Sequence, residues 1–203
     1  MAEHEMCGKE RKPKIVLCIS GMTGCGKSSV ARRLAEEYGL EYFSGGDALK
    51  ILAFEMGYRS SEKGWWETDE GMRFLQQREK ESTFDTKVDE KLLKWAGRGD
   101  VVLDSWTMPW LLKKKGFKVW LEASVEVRAE RVAGRDGISL ERALVTLKKR
   151  DEKTMVIYKS LYGFDLGRDF SPFDLVLDSN RLSADEVFKT VCMVVDRIVL
   201  GID

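Results

Sequence analysis

The chain has 203 residues, a length typical of one globular domain that buries its core without disulfides or metal ions. Its 34 basic and 34 acidic residues cancel, so charge gives no reason to expect nucleic acid or a membrane surface as partner. One histidine and four cysteines without a CxxC pair exclude a zinc set and indicate reduced thiols, which predicts a cytoplasmic protein. No segment approaches the roughly 18 apolar residues of a membrane-spanning helix.

Short apolar segments alternate with segments of helical spacing along the chain. A continuous apolar run rich in β-branched residues predicts a strand that is buried on both faces. The predicted strands are KIVLCIS (14–20), LEYFS (40–44), DVVLDS (100–105), FKVWLEA (117–123) and DLVLD (174–178). This order of elements predicts an α/β fold in which helices cover both faces of a parallel sheet.

Six segments carry apolar residues at the spacing that is typical of a helix. They are SVARRLAEEY (29–38), DALKILAFEM (47–56), TKVDEKLLKWA (86–96), SVEVRAERVAGR (124–135), SLERALVTLKKRDEKTMVIYKSLYG (139–163) and VFKTVCMVVDRIVL (187–200). The last follows Ser183 and Glu186, which have the spacing of a capping box. Residues 58–83 show no readable period. Residues 1–13 are predicted to be a flexible tail before a single domain at 14–203.

The segment GMTGCGKS, residues 21–28, matches the phosphate-binding pattern GxxxxGK[ST] at every fixed position. Glycines let backbone N–H groups approach a polyphosphate closely, and the helix that follows adds a positive N-terminus. In this pattern Lys27 contacts the β- and γ-phosphates, and the Ser28 hydroxyl binds Mg²⁺. The strand before and the helix after favour a nucleotide-binding loop over a chance match. Cys25 is interpreted as a small filling residue, with a redox-sensitive thiol as the alternative.

Asp104 stands at the carboxyl end of the predicted strand DVVLDS. A carboxylate that orients Mg²⁺ or contacts a substrate is expected at this edge of a parallel sheet. The alternative is an ordinary aspartate at the end of a strand.

The tryptophans have two interpretations, stacking on a ligand or packing in the core. Trp65 and Trp66 are candidates for stacking on a base, while Trp106 and Trp110 follow a strand and are candidates for lining an acceptor pocket. Core packing is favoured for Trp95 and Trp120, which fall on a predicted helix and strand.

Two basic clusters flank the sequence GRDG at 134–137. They contain Arg128, Arg131, Arg135, Lys148, Lys149 and Arg150. A charge run on a helix is usually a solvated face. Here a glycine-bearing hinge lies between the clusters, which favours a lid that closes arginines over a transferring phosphate.

The sequence resembles the short, archaeal-type cytidylate kinases, a branch of the P-loop nucleoside monophosphate (NMP) kinases, over about residues 14–196. The resemblance rests on ISGMTGCGKSSVARRLAEEYGLEYFSGG, VVLD before Trp110, VWLEASVEVRAERVAGRDG, LKKRDEK followed by YKSLYGFD, and DLVLDSNRLSADEVF. It implies a three-layer fold with a five-stranded parallel sheet in the order 2-3-1-4-5. An NMP-binding insertion at about 45–98 and a mobile lid at about 133–160 are also implied. The implied reaction transfers the γ-phosphoryl group of ATP to CMP or dCMP with Mg²⁺.

The same resemblance assigns residues to the site. It implies catalytic roles for Lys27, Arg131, Arg135 and Arg150, and metal contacts from Ser28 and Asp104. The implied substrate contacts are Lys50, Asp85, Asp89, Asp104 and Trp106. The implied ATP-phosphate loop consists of Gly21, Met22, Thr23, Gly24, Cys25, Gly26, Lys27, Ser28 and Ser29.

The acceptor half departs from the family pattern. The family usually has arginine where this sequence has Lys50, Lys91, Trp106 and Ile157. It tends to have glutamine at Leu92 and glycine at Ser105. Lysine lacks the bidentate fork of arginine, and tryptophan or isoleucine removes the charge. Arg59, Arg73 or Arg78 is a candidate to replace the missing phosphate contacts.

Three functions are therefore open. The first is a kinase for CMP or dCMP. The second is a kinase of the same fold for another small acceptor, and the third is an ATP-binding sensor that transfers no phosphate. In each case we expect small-molecule nucleotides as ligands, no nucleic acid, no membrane, and a monomer or homodimer.

Overall fold

The computed structural model describes residues 14–61, 64–113 and 115–202. The predicted tail, 1–13, lies outside the described residues. The strands are β1 (Val16–Ser20), β2 (Glu41–Ser44), β3 (Val101–Asp104), β4 (Phe117–Glu122) and β5 (Leu175–Asp178). The α-helices are α1 (Lys27–Tyr38), α2 (Gly45–Glu55), α3 (Asp69–Lys80), α4 (Thr83–Arg98), α5 (Met108–Leu111), α6 (Val125–Asp136), α7 (Leu140–Tyr162) and α8 (Ala184–Val195). A 3-10 turn at Trp65–Glu67 precedes α3, and a π-helical turn at Asp196–Leu200 follows α8.

The five strands form one parallel sheet in the order β2-β3-β1-β4-β5, which confirms the expected topology. Ile19 of β1 pairs with Asp104 of β3 on one side and with Val119 of β4 on the other. The carboxyl ends of β1 and β3 therefore meet at the same edge of the sheet. This register places the glycine loop after β1 beside the residues that follow β3.

Both faces of the central strands are buried, which explains their continuous apolar sequences. Leu17 and Ile19 of β1 pack into a cluster with residues of α1 and α8. Cys18, between them, packs into a second cluster with residues of α2 and α4. Trp120 of β4 is fully buried, which confirms its core assignment. No helix among the described residues is long and apolar enough to cross a bilayer.

The segment 58–83 contains structure that the sequence did not predict. It holds the 3-10 turn and all of α3, and α4 begins at Thr83 rather than at residue 86. Gly71 obscured the helix because glycine disfavours a helix interior. Here the glycine is needed, since a Cβ atom on Gly71 would lie 2.3 Å from the carbonyl oxygen of Trp65.

The expected hinge at 134–137 is wrong in its extent. Gly134, Arg135 and Asp136 belong to α6, and the helix ends at Gly137 in the left-handed conformation. The connection to α7 is therefore a tight turn, with Ser139 capping α7 through a hydrogen bond from the Arg142 backbone N–H. These two helices, called the α6–α7 hairpin below, cover the carboxyl edge of the sheet.

Candidate active site

A cavity of about 740 Å³ lies at the carboxyl edge of the sheet. The glycine loop, the start of α2, the 3-10 turn, α4, the loop after β3 and the α6–α7 hairpin all contribute to its walls. Of the predicted site residues, it is lined by Thr23, Gly24, Cys25, Gly26, Lys27, Ser28, Ser29, Lys50, Asp85, Asp89, Asp104, Trp106, Arg131, Arg135 and Arg150. Gly21 and Met22 are not part of this lining. The structure therefore brings nearly the whole predicted set together.

The glycine loop has the geometry of an anion cradle. Gly21 and Gly24 have φ of 146° and 83°, and a Cβ atom would lie 2.4 Å from the Leu121 carbonyl oxygen or 2.8 Å from that of Arg128. Helix α1 begins at Lys27 with no side-chain cap and no acidic residue in its first turn. Its N-terminal N–H groups and its positive end are therefore available to an anion.

Lys27 contributes a cation without a carboxylate partner. It forms no ion pair with any other residue that the structure describes. Its Nζ atom lies 5.2 Å from the centre of the Trp106 ring. The Trp106 Nε1–H donates a hydrogen bond of 2.8 Å to the carbonyl oxygen of Gly21. The tryptophan therefore holds the start of the loop and offers its ring to the lysine.

Asp104 supplies a buried carboxylate near the loop. Only 3% of its surface is exposed, and its Oδ2 atom accepts a hydrogen bond of 3.0 Å from the Tyr42 hydroxyl. Its other oxygen has no hydrogen bond to a described residue. A carboxylate oxygen together with the Ser28 hydroxyl is the oxygen donor chemistry that Mg²⁺ prefers, so these residues fit that ion. Elsewhere in the described chain, no group of three His, Cys, Asp or Glu residues is arranged for a metal.

Two arginines of α6 fasten the hairpin to the glycine loop. Arg131 donates to the carbonyl oxygen of Cys25 at 3.1 Å and to that of Ser179 at 2.7 Å. Arg128 is buried and donates to the carbonyl oxygen of Thr23 at 3.0 Å and to Asp151 at 2.7 Å. From the sequence, Arg128 is expected only as a member of a basic cluster. Arg128 and Arg131 are three residues apart and therefore lie on one face of α6. A helical projection of the sequence would have shown this.

The other basic residues of the hairpin divide into two groups. Lys148 and Lys149 are exposed and lie outside the cavity lining, as in a solvated face. Arg135 and Arg150 line the cavity and both approach Glu67, at 3.6 Å and 3.1 Å from its Oε1 atom. Glu67 lies in the 58–83 segment and was missed, because no sequence pattern links it to arginines so far along the chain.

A polar cluster forms another wall of the cavity. The Arg78 guanidinium donates to both oxygens of Asp85, at 2.5 Å and 3.1 Å, and the Tyr158 hydroxyl donates to Asp85 at 3.1 Å. Asp89 accepts from the Thr107 hydroxyl at 2.5 Å and from the Tyr162 hydroxyl at 2.6 Å. Burial raises the pKa of Asp89 to about 6, while these two hydrogen bonds act in the opposite direction.

The expected replacement of phosphate contacts by Arg78 is wrong. Its side chain is buried and is committed to Asp85. Arg59 and Arg73 are exposed and lie outside the cavity lining. Lys50 lines the cavity and has no ion pair with another described residue, so it remains a candidate for an anion.

The tryptophans take different places. Trp65 is a core residue, whereas Trp66 and Trp106 line the cavity. Trp110 does not line it, because its ring stacks on Phe164 at 3.9 Å. Trp95 is half-buried and stacks on Phe43 at 4.0 Å, in agreement with its packing assignment.

The chain is similar over nearly its whole length to known proteins. The model of the cytidylate kinase-like family matches residues 16–181. The chain belongs to this family. A cytidylate kinase of Pyrococcus horikoshii is 32% identical over 92% of this chain and 91% of its own. One from Methanopyrus kandleri is 34% identical, over 91% and 94% of the two chains.

A solved structure agrees at the level of the fold. Shikimate kinase from Acinetobacter baumannii, in complex with shikimate, has a TM-score of 0.55 at 20% identity. The match covers 94% of this chain and 95% of that one. The cytidylate kinase-like chain thus has the architecture of a P-loop kinase.

The departures from the cytidylate kinase pattern have clear places in the structure. Leu92 and Ile157 are buried in apolar clusters, and Lys91 is exposed outside the cavity lining. Lys50 and Trp106 line the cavity. Ser105 lines it as well, so the changes at the cavity itself reduce to Lys50, Ser105 and Trp106.

Proposed function

We propose that this protein transfers the γ-phosphoryl group of ATP to CMP or dCMP, and that Mg²⁺ assists. One observation carries the proposal: an anion cradle with an unpaired lysine and a carboxylate cluster line the same cavity. The cradle suits a polyphosphate, and the carboxylates suit the amino group of a base. The names of the curated relatives, cytidylate kinases, support the same activity.

At the donor end, the N–H groups of residues 21–29 are proposed to bind the β- and γ-phosphates. Lys27, Arg135 and Arg150 would neutralise the charge that spreads over the transferring group, which is the main task in phosphoryl transfer. Arg131 would act there by holding the hairpin on the loop. Ser28 and Asp104 would hold Mg²⁺, which supplies further charge neutralisation between the phosphates when it is bound.

At the acceptor end, Asp89 is proposed to recognise the base. It accepts two hydrogen bonds in the structure, and an ionised carboxylate has capacity for more. The exocyclic amino group of cytosine donates hydrogen bonds, whereas uracil presents a carbonyl oxygen at that position. An ionised Asp89 therefore favours CMP over UMP, because two facing acceptors repel each other. Asp85 would support the same choice while Arg78 holds it in place.

The acceptor phosphate is proposed to contact Lys50, which lines the cavity and has no ion-pair partner in the part of the chain that the structure describes. A lysine offers a point charge rather than a bidentate fork, so we expect a weaker hold on this phosphate than an arginine gives.

A second candidate function is phosphorylation of another small acceptor by the same donor machinery. Trp106 favours it, since an aromatic ring at the cavity wall suits an apolar surface as well as a nucleotide. A single observation separates the two. An assay of ADP release with CMP, dCMP, UMP, AMP, GMP and non-nucleotide alcohols should give the highest kcat/KM with CMP or dCMP. Turnover with a non-nucleotide alcohol alone would favour the second candidate.

A further inference from the structure

The side chain of Arg150 is enclosed by three residues that lie outside its own helix. Its Nη1 atom donates a hydrogen bond of 3.1 Å to Glu67 Oε1. Its guanidinium carbon lies 4.6 Å from the centre of the Trp66 ring and 5.9 Å from that of Trp106. Two aromatic faces and one carboxylate are the partners that a buried guanidinium requires. We call Trp66, Glu67 and Trp106 the Arg150 cage.

The cage joins separate parts of the chain. Trp66 and Glu67 come from the 3-10 turn that precedes α3, and Trp106 comes from the loop after β3. Arg150 belongs to α7, in the α6–α7 hairpin, and also lines the cavity. The same Trp106 ring also faces the Lys27 Nζ atom at 5.2 Å. The cage therefore contacts two cations that line the cavity, Arg150 and Lys27.

The charged side chains of Glu67 and Arg150 depend on each other in this buried position. The Glu67 carboxyl group is buried, and its Oε2 atom has no hydrogen-bond partner in the described structure. Burial raises the pKa of Glu67, and the nearby charges of Arg150 and Arg135 oppose that rise, whereas Asp136 adds to it. Without the Glu67 charge, the enclosed guanidinium of Arg150 would lose its only carboxylate partner within 4.0 Å among the described residues. Its favoured position would then shift toward water.

We propose that Glu67 is a positioning residue that, with Trp66 and Trp106, holds Arg150 in the cavity for phosphoryl transfer. This inference rests on the proposed function. Arg150 donates a single hydrogen bond to the described residues, so most of its N–H donors remain for a phosphate oxygen. Because Trp66 and Glu67 belong to the 3-10 turn, Arg150 is correctly placed only when this turn packs against α7. The packing of the 3-10 turn is thereby coupled to the position of a cation in the cavity.

The test is Glu67→Gln, which keeps the shape of the side chain and removes its charge. We expect kcat to fall by about 10- to 100-fold, as is usual for a misplaced catalytic cation, with less than about threefold change in either KM. Glu79→Gln is the matched control. Glu79 of α3 pairs with Lys153, which also lies on α7, but it lies outside the cavity lining, so its loss should leave kcat unchanged.

Combined variants separate positioning from general stability. If Glu67 acts only through Arg150, the double variant Glu67→Gln/Arg150→Ala should be no slower than Arg150→Ala alone. Multiplied effects in the double variant would overturn the proposal. A kcat of Glu67→Gln within twofold of the wild-type value would also overturn it. A higher kcat in this variant would overturn it as well, since it would show that Glu67 holds Arg150 away from its working position. Should Glu67→Gln fail to fold, Glu67→Asp keeps the charge and should lower kcat by a smaller factor.

A measurement without turnover distinguishes failure of this inference from failure of the proposed function. The Arg150 Nε–H resonance, assigned by its loss in Arg150→Lys, should be shifted by the Trp66 and Trp106 rings in the ligand-free wild-type protein. Glu67→Gln should move it to the position of a solvent-exposed arginine, and Glu79→Gln should not. An unchanged resonance in Glu67→Gln would overturn the positioning role whatever the acceptor. Absence of CMP turnover in the wild-type protein would instead overturn the proposed function alone.

Discussion

Replacing Asp89 by asparagine should make the protein more stable at neutral pH and a poorer CMP kinase. Burial raises the pKa of Asp89 from 3.8 to about 6, so its charged form is disfavoured in the fold. A shift of about two pKa units corresponds to roughly 3 kcal/mol at pH 7. Between those pKa values the folded protein binds more protons at Asp89 than the unfolded chain does. Stability therefore falls as the pH rises through this window.

Asparagine removes the charge and retains one acceptor oxygen for the two donors, Thr107 and Tyr162. Loss of one hydrogen bond costs about 1 kcal/mol. We therefore expect Asp89→Asn to raise the free energy of unfolding by about 2 kcal/mol at pH 7.5 and to lower it by about 1 kcal/mol at pH 4. Urea unfolding at the two pH values measures both. Glu90→Gln, on the exposed side of the same helix, is the control and should change neither.

The same variant tests base recognition. In the wild-type protein, kcat/KM for CMP should fall as the pH drops below about 6. A protonated Asp89 is a weaker acceptor for the hydrogen bond from the cytosine amino group. Asp89→Asn should remove this pH dependence and lower kcat/KM for CMP by about 10- to 100-fold, the value of a hydrogen bond to a charged group. The preference for CMP over UMP should also decrease. An unchanged preference would refute the role in base recognition, and lower stability at both pH values would refute the electrostatic reasoning.

Three further predictions concern the cradle, the metal carboxylate and the packing of α3. Lys27→Ala should lower kcat by at least about 100-fold with an unchanged melting temperature, because it removes a cation from the transferring group. Tyr42→Phe should raise the Mg²⁺ concentration needed for half-maximal rate several-fold, because it frees Asp104 Oδ2. Gly71→Ala should destabilise by about 1–3 kcal/mol in urea unfolding, whereas Gly97→Ala, with no atom within 4 Å of the new Cβ, should stabilise by about 0.5–1 kcal/mol.

The sheet was predictable because its central strands are buried on both faces. The bounds of all five predicted strands agree with the structure to within two residues. The family resemblance supplies the order in which the strands pair. The glycine loop was predictable for a similar reason, since its chemistry is confined to consecutive residues. Helix α3 was not predictable, because Gly71 lowers the helix propensity of this segment. The glycine is required there by the close approach of the Trp65 backbone.

The contacts of the carboxylates that line the cavity were less predictable, because they join distant residues. Asp85 and Asp89 were found, but their partners on α7, Tyr158 and Tyr162, are 73 residues further along the chain in each case. Glu67 had no signal at all, since its arginines follow in a different segment. Charge pairs that form only in the folded state leave no local period in the sequence.

The central claim is that the phosphoryl group reaches a pyrimidine nucleotide. Anion-exchange chromatography of a mixture of the protein, ATP, Mg²⁺ and CMP tests it most directly, because it separates CDP from ADP. We expect CDP to form in step with ADP, and Lys27→Ala to slow the formation of both by at least about 100-fold. Formation of ADP and inorganic phosphate without CDP would contradict it.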